Sequence, residues 1–156
     1  MTGSYTYSVA ANGRVTITGG SGHQPILYLV GSNSGFFMDT GGSTAAGIFF
    51  KQASGTFSTG SVSGNYFIGV TAPTVTGASV LSGVGTSTGN GTVTSTLDGS
   101  SQSGLATAQS FTSTLTIASN GSGTDTLGDV VFLISPTKAI YMNTTNTTPT
   151  VTIAQQ

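Results

Sequence analysis

The sequence predicts an all-β fold: an antiparallel barrel or sandwich built from one and a half copies of an eight-strand unit of roughly 104 residues. Three observations predict it. Thr, Val, Ile, Phe and Tyr dominate, and no stretch carries the 3.6-residue apolar period of a helix. Clusters of Gly, Asn and Ser interrupt the chain about every six to twelve residues, the spacing of short strands joined by turns. A long segment recurs within the chain.

The first hairpin is read from alternation. Tyr5, Tyr7 and Val9 alternate with Thr6 and Ser8; Asn12-Gly13 follows, and Val15 and Ile17 then alternate with Thr16 and Thr18. A two-residue turn at Asn12-Gly13 would set Val9 against Thr16 and mix the two faces. A three-residue loop, Ala11-Asn12-Gly13, sets Val9 against Val15 and Tyr7 against Ile17, so one face stays apolar. That register requires Gly13 to be left-handed.

The recurrence joins Ile26–Thr40 to Val130–Thr144 at an offset of 104, with Met38 on Met142, Asp39 on Asn143 and Thr40 on Thr144. Gly47–Gln52 falls on Val151–Gln156 at the same offset. Val9–Gly13 falls on Ile117–Gly121 at an offset of 108, which locates a loop-length change near Gly19–Gln24. Residues 53–156 are therefore expected to form a complete unit and residues 1–52 the C-terminal half of one, with about five strands. Within the complete unit the pattern places strands near Gly64–Val70, Ala78–Thr86, Thr92–Leu97, Phe111–Ile117, Ser122–Thr126, Val130–Ile134, Ala139–Asn143 and Thr150–Ala154. Ser135-Pro136-Thr137-Lys138 reads as a turn.

Charge excludes several functions. The chain has three cationic side chains (Arg14, Lys51, Lys138), four Asp and no Glu, 4% charged in all against roughly a quarter in ordinary domains. Nothing here neutralises a phosphate backbone, so no nucleic-acid partner is expected. The apolar runs Ile26–Val30 and Val130–Ile134 are far shorter than the ~20 residues of a spanning helix, so no membrane span is expected. Cysteine is absent, which removes disulfides and thiolate metal sites. Met1-Thr2-Gly3 runs straight into strand-like sequence with no leader pattern, so an exported form would have lost its signal.

Candidate chemistry is sparse. His23 is the single histidine, in Gly22-His23-Gln24-Pro25, and would need both a Ser and a carboxylate such as Asp39 to act in a hydrolase. Asp125 and Asp129 are close in sequence but read as solvated residues flanking a turn. Asn120–Leu127 resembles one calcium nonapeptide, which needs stacked copies that this chain lacks. The triplets at Asn90, Asn120, Asn143 and Asn146 match the glycosylation pattern and arise by chance in so Asn- and Thr-rich a chain. No catalytic residue, metal or cofactor is expected. The aromatic doublets Phe36-Phe37 and Phe49-Phe50 are the candidate interface or lumen residues, because a doublet puts apolar surface on both faces of a strand.

Asn120-Gly121-Ser122-Gly123-Thr124 and Phe132-Leu133-Ile134-Ser135-Pro136-Thr137-Lys138-Ala139-Ile140-Tyr141-Met142 resemble the turn and strand motifs of tandem β-repeat domains in large exported surface proteins of acidobacteria and similar bacteria. The first copy departs from the pattern, with Asn33-Ser34 in place of Thr137-Lys138. The resemblance implies an extracellular or cell-surface module without catalytic residues. The expected function is structural or adhesive, with the unpaired strands of the half unit joining the chain to itself, as a homo-oligomer or filament, or to neighbouring repeats. The alternative is a barrel that binds a small ligand in an apolar lumen.

Overall fold

The structure, a computed structural model of the 156-residue chain, describes residues 4–19, 24–41, 45–70, 80–144 and 150–156. Two compact units divide at Gln52 and Ala53. All described strands of both pair antiparallel, and the described residues hold no α-helix, only a 3-10 turn at Thr59–Ser61.

The second unit is a closed eight-stranded barrel. Its strands are β6 (Ser63–Val70), β7 (Val80–Thr88), β8 (Thr92–Ser101), β9 (Gly104–Ile117), β10 (Ser122–Asp125), β11 (Asp129–Ser135), β12 (Lys138–Asn143) and β13 (Val151–Gln155). Each pairs with its neighbour in sequence, and β13 closes on β6 with Ile153 opposite Gly69. Closure is what a sheet with so few charged residues needs, since an open edge would be a template for further pairing.

One end of this barrel is solid. Leu115, Ile117, Val131, Leu133, Ala139 and Ala154 point inward there, with Val131 and Leu133 no more than 1% exposed. Residues 53–62 cross that end as a plug and contribute Phe57 and Val62 to the core. The plug is fixed by backbone bonds from Ala53 N to Ile134 O (2.7 Å) and from Phe57 N to Ser119 O (3.0 Å). Ser87 Oγ donates to Val62 O (2.7 Å), and the Ile117 N–H donates to Thr59 Oγ1 (3.1 Å). Tyr66 reaches across the same end and donates its hydroxyl to Pro136 O at 2.7 Å. Thus the buried Tyr66 hydroxyl has its partner, as burial demands.

The first unit is a five-stranded sheet in the order β1 (Thr6–Val9), β2 (Arg14–Thr18), β3 (Ile26–Leu29), β4 (Ser34–Met38), β5 (Ala46–Phe50). Val9 faces Val15 and Tyr7 faces Ile17, the register that keeps one face apolar, and Gly13 is left-handed at φ 80°. Strand for strand, this sheet follows β9–β13. Val9–Val15 matches Ile117–Gly123, Val15–Leu27 matches Gly123–Val131, and Ile26–Met38 matches Val130–Met142. Even the cross-hairpin bonds match: Leu29 N donates to Gly13 O and Leu133 N to Gly121 O, both at 2.9 Å.

The last strand departs from the sequence alignment. Phe37 faces Gly47, whereas Tyr141 faces Thr152, so β5 matches β13 at an offset of 105 rather than 104. The bonds Lys51 N to Asn33 O and Gln156 N to Thr137 O fix that phase. The physical reason is that Gly47-Ile48-Phe49-Phe50 has no polar alternation to pin its register, and a slip of one residue exchanges its two faces. Phe49, not Phe50, therefore stands where Ala154 stands in the barrel.

Candidate functional site

Two places in the molecule have geometry suited to binding: the open end of the barrel lumen and the faces of the five-stranded sheet. Each follows from which residues alternate inward.

In the barrel, inward positions on β8 are Val93, Ser95 and Leu97, and on β9 Phe111 and Ser113, while Thr92, Thr94, Thr96, Thr112, Thr114 and Thr116 face out. Opposite the plug the inward side chains do not meet. They leave a cavity of about 270 Å³ walled mainly by Ile68, Leu81, Val93, Leu97, Phe111 and Tyr141. β7 supports this space through Gly83, where a Cβ would collide with the Thr96 carbonyl of β8.

Asp125 and Asp129 line the same cavity, together with Asn143. They do flank a turn, as their spacing predicts, and Asp125 Oδ1 accepts the N–H groups of Leu127 (2.9 Å) and Asp129 (3.0 Å) to hold it. Solvated turn residues describes only half of their setting. Asp129 is in phase with Val131 and Leu133 on β11, so its side chain belongs to the lumen face. Burial pushes the Asp129 carboxyl above the ordinary carboxylate range, and the negative charge of Asp125 adds to the effect. A hydrogen bond from Asn143 Nδ2 to Asp129 Oδ1 at 2.8 Å partly offsets it. Tyr141, between the packed core and these carboxylates, has its phenol pushed well up by burial first and by the Asp125 charge second, so it stays protonated. The signal for these residues was present in the sequence, as the period-2 phase of Asp129 with Val131 and Leu133.

In the first unit, Tyr7, Val9, Val15, Ile17, Leu27, Leu29, Phe37 and Phe49 share one face. Phe37 and Phe49 lie over the glycines opposite them: a Cβ on Gly47 would come within 2.6 Å of the Phe37 ring, and one on Gly35 within 2.5 Å of the Phe49 ring. An aromatic ring covering a cross-strand glycine shields a backbone that Gly alone leaves bare. On the opposite face, β1 and β2 carry Thr6, Ser8, Thr16 and Thr18, whereas β3–β5 carry Ile26, Tyr28, Phe36, Met38 and Ile48. Phe36 is 54% exposed and Ile48 55% exposed there. The structure thus sends Phe36 and Phe50 to one face and Phe37 and Phe49 to the other. None of the four lies in the barrel lumen, which is built from the second unit alone.

His23 and Asn146 lie outside the described residues, so the hydrolase constellation has no described geometry. Among the described residues no three His, Cys, Asp or Glu side chains gather into a metal-binding group. No described helix is long and apolar enough to cross a membrane. Compared with family models, curated proteins and solved structures, the chain matches none.

Proposed function

We propose that this chain is a non-enzymatic, extracellular structural or adhesive β-module, a repeat unit and a half, that acts by strand-to-strand self-association through residues 1–52. The observation that carries the reading is the five-stranded sheet. It follows β9–β13 in order and register, yet among the described residues of its own unit nothing corresponds to β6, β7 and β8, the strands that close the barrel. Within that sheet β1 and β5 each pair on one side only.

The free hydrogen-bonding groups can be assigned. Ala10 N donates to Arg14 O, so on β1 the even positions bond β2 and the N–H groups of Tyr7 and Val9 point away from it. Asp39 N donates to Ala45 O and Lys51 N to Asn33 O, so on β5 the odd positions pair with β4 and Ile48 points its N–H outward. Within Thr6–Val9 and Ala46–Phe50 there is none of the Lys or Glu that guards edges in monomeric sheets, and Lys51 at the end of β5 is the one such residue beside them. Sedimentation velocity of the full chain across a hundredfold range of concentration tests the reading. A rising sedimentation coefficient that Tyr7→Pro and Ile48→Pro abolish is the expected result, because proline there removes an outward donor and spares the existing ladder. A full chain that stays monomeric throughout overturns it.

A second reading, a small-ligand-binding barrel, is favoured by one observation. The lumen is filled at the plug and unfilled at the other end, with a volume just under the roughly 300 Å³ at which small-molecule pockets begin.

A further inference from the structure

We propose that the open end of the barrel binds a small organic cation, an ammonium or guanidinium group carried on a compact apolar body, with the body among Ile68, Leu81, Val93, Leu97 and Phe111 and the charge at Asp125 and Asp129. The proposal rests on the ligand-binding reading of the lumen and names the class of ligand.

Space and wall chemistry set the body. A cavity of about 270 Å³ has room for about nine waters at the roughly 30 Å³ each takes up in the liquid. Water against walls of Ile, Leu, Val and Phe finds few partners, so an apolar group displaces it favourably. The same volume limits the ligand to about ten heavy atoms, since the plug closes the far end.

Charge sets the head. Two carboxylates line one cavity, and no Lys or Arg lines it. The barrel unit has one cation, Lys138, and it follows the Pro136-Thr137 turn at the plugged end. The protein's own hydrogen bonds to the pair fall on Oδ1 of each, from Leu127, Asp129 and Asn143. Those bonds fix the two carboxylates before any ligand arrives, which is the preorganisation that tight recognition of a charge requires. Repulsion between Asp125 and Asp129 in a half-buried place raises the energy of the empty site, and a cation relieves it. The rings of Phe111 and Tyr141 in the same wall suit a cation better than an anion. A carboxylate or phosphate ligand meets two like charges and is rejected.

The test is a calorimetric and NMR titration of the full chain with three probes of one shape: cyclohexylammonium, cyclohexanol and cyclohexanecarboxylate. The expected result is binding of the ammonium with amide shifts centred on Leu97, Phe111, Ser113 and Tyr141. The alcohol should bind at least tenfold more weakly and the carboxylate not at all. Asp129→Asn, or Asp129→Ser should the first not fold, should lower ammonium affinity at least fivefold and leave the alcohol unchanged. If the alcohol binds as well as the ammonium, or either variant keeps full ammonium affinity, the cation proposal falls and the apolar lumen reading stands. If no probe binds at millimolar concentration, both fall.

Discussion

Leu29 and Leu133 offer a matched pair for a quantitative test, since they are the same residue at matching register positions in the two units. Each holds the matching place in its ladder: Leu29 faces Gly35 and donates its N–H to Gly13 O, while Leu133 faces Ala139 and donates its N–H to Gly121 O. They differ in cover. Leu133 is 1% exposed at the plugged end of a closed barrel, and Leu29 is 37% exposed on an unclosed sheet. Truncation to Ala removes three carbons, about 2.4 kcal/mol of transfer energy at about 0.8 kcal/mol each when burial is complete. At Leu133 the plug and the closed wall prevent collapse, so a cavity term adds to this and the total reaches about 3–4 kcal/mol. At Leu29 roughly two thirds of the transfer energy is at stake and solvent fills the gap, so the cost to a lone chain is about 1.5 kcal/mol. Thermal unfolding followed by near-ultraviolet circular dichroism at low protein concentration separates these values. Leu133→Ala should lower the transition of the barrel by well over 10 °C, at about 4–8 °C per kcal/mol for a domain of this size. A loss below about 1 kcal/mol at Leu133 would refute the filled end of the lumen. Equal losses at both positions in dilute monomer would refute the open sheet.

Other outcomes follow from single contacts. Gly13 and Gly121 sit at φ 80° and 83° in matching hairpins, so Gly13→Val and Gly121→Val should each cost about 1 kcal/mol or more, read by denaturant unfolding; melting like the parent would contradict the register. Tyr66→Phe strands the Pro136 carbonyl and should cost about 1–2 kcal/mol, measured the same way. Asp129 has a folded pKa raised above its ordinary 3.8, so the folded barrel takes up a proton that the unfolded chain does not hold. Stability should therefore rise as pH falls through the folded value toward 3.8 and flatten below it, and Asp129→Asn should remove that rise in a pH series of melting curves.

Most of the fold was legible because alternation is a strong signal where one face is buried. The register Val9–Val15 and the positions of all eight barrel strands follow from it. Closure is a different matter. Whether the eight strands make a barrel or a sandwich depends on Ile153 finding Gly69, a pairing between residues 84 positions apart that no local pattern specifies. β9 is longer than its pattern implied because Gly104–Ser110 is exposed on both faces and carries no apolar alternation. There Ala108 adopts φ 52° at a bulge, its N–H held by Asp98 Oδ1 at 2.7 Å. The cavity was not legible either, since its volume is what remains after inward side chains from all around the barrel have been summed. Its acidic lip could have been found, because Asp129 keeps the inward phase of Val131 and Leu133.

Amide hydrogen exchange at the two free edges tests the central claim most directly. Tyr7, Val9 and Ile48 carry outward N–H groups of the five-stranded sheet, and their neighbours Ser8 and Phe49 carry inward-bonded ones. In dilute solution the three outward amides should exchange rapidly while Ser8 and Phe49 are protected. As the concentration rises and chains pair, the three should gain protection together, and barrel amides such as Val131 and Leu133 should not change. Outward amides that stay unprotected at every concentration, or that are already protected in the dilute monomer, would contradict self-association through the edges of this sheet.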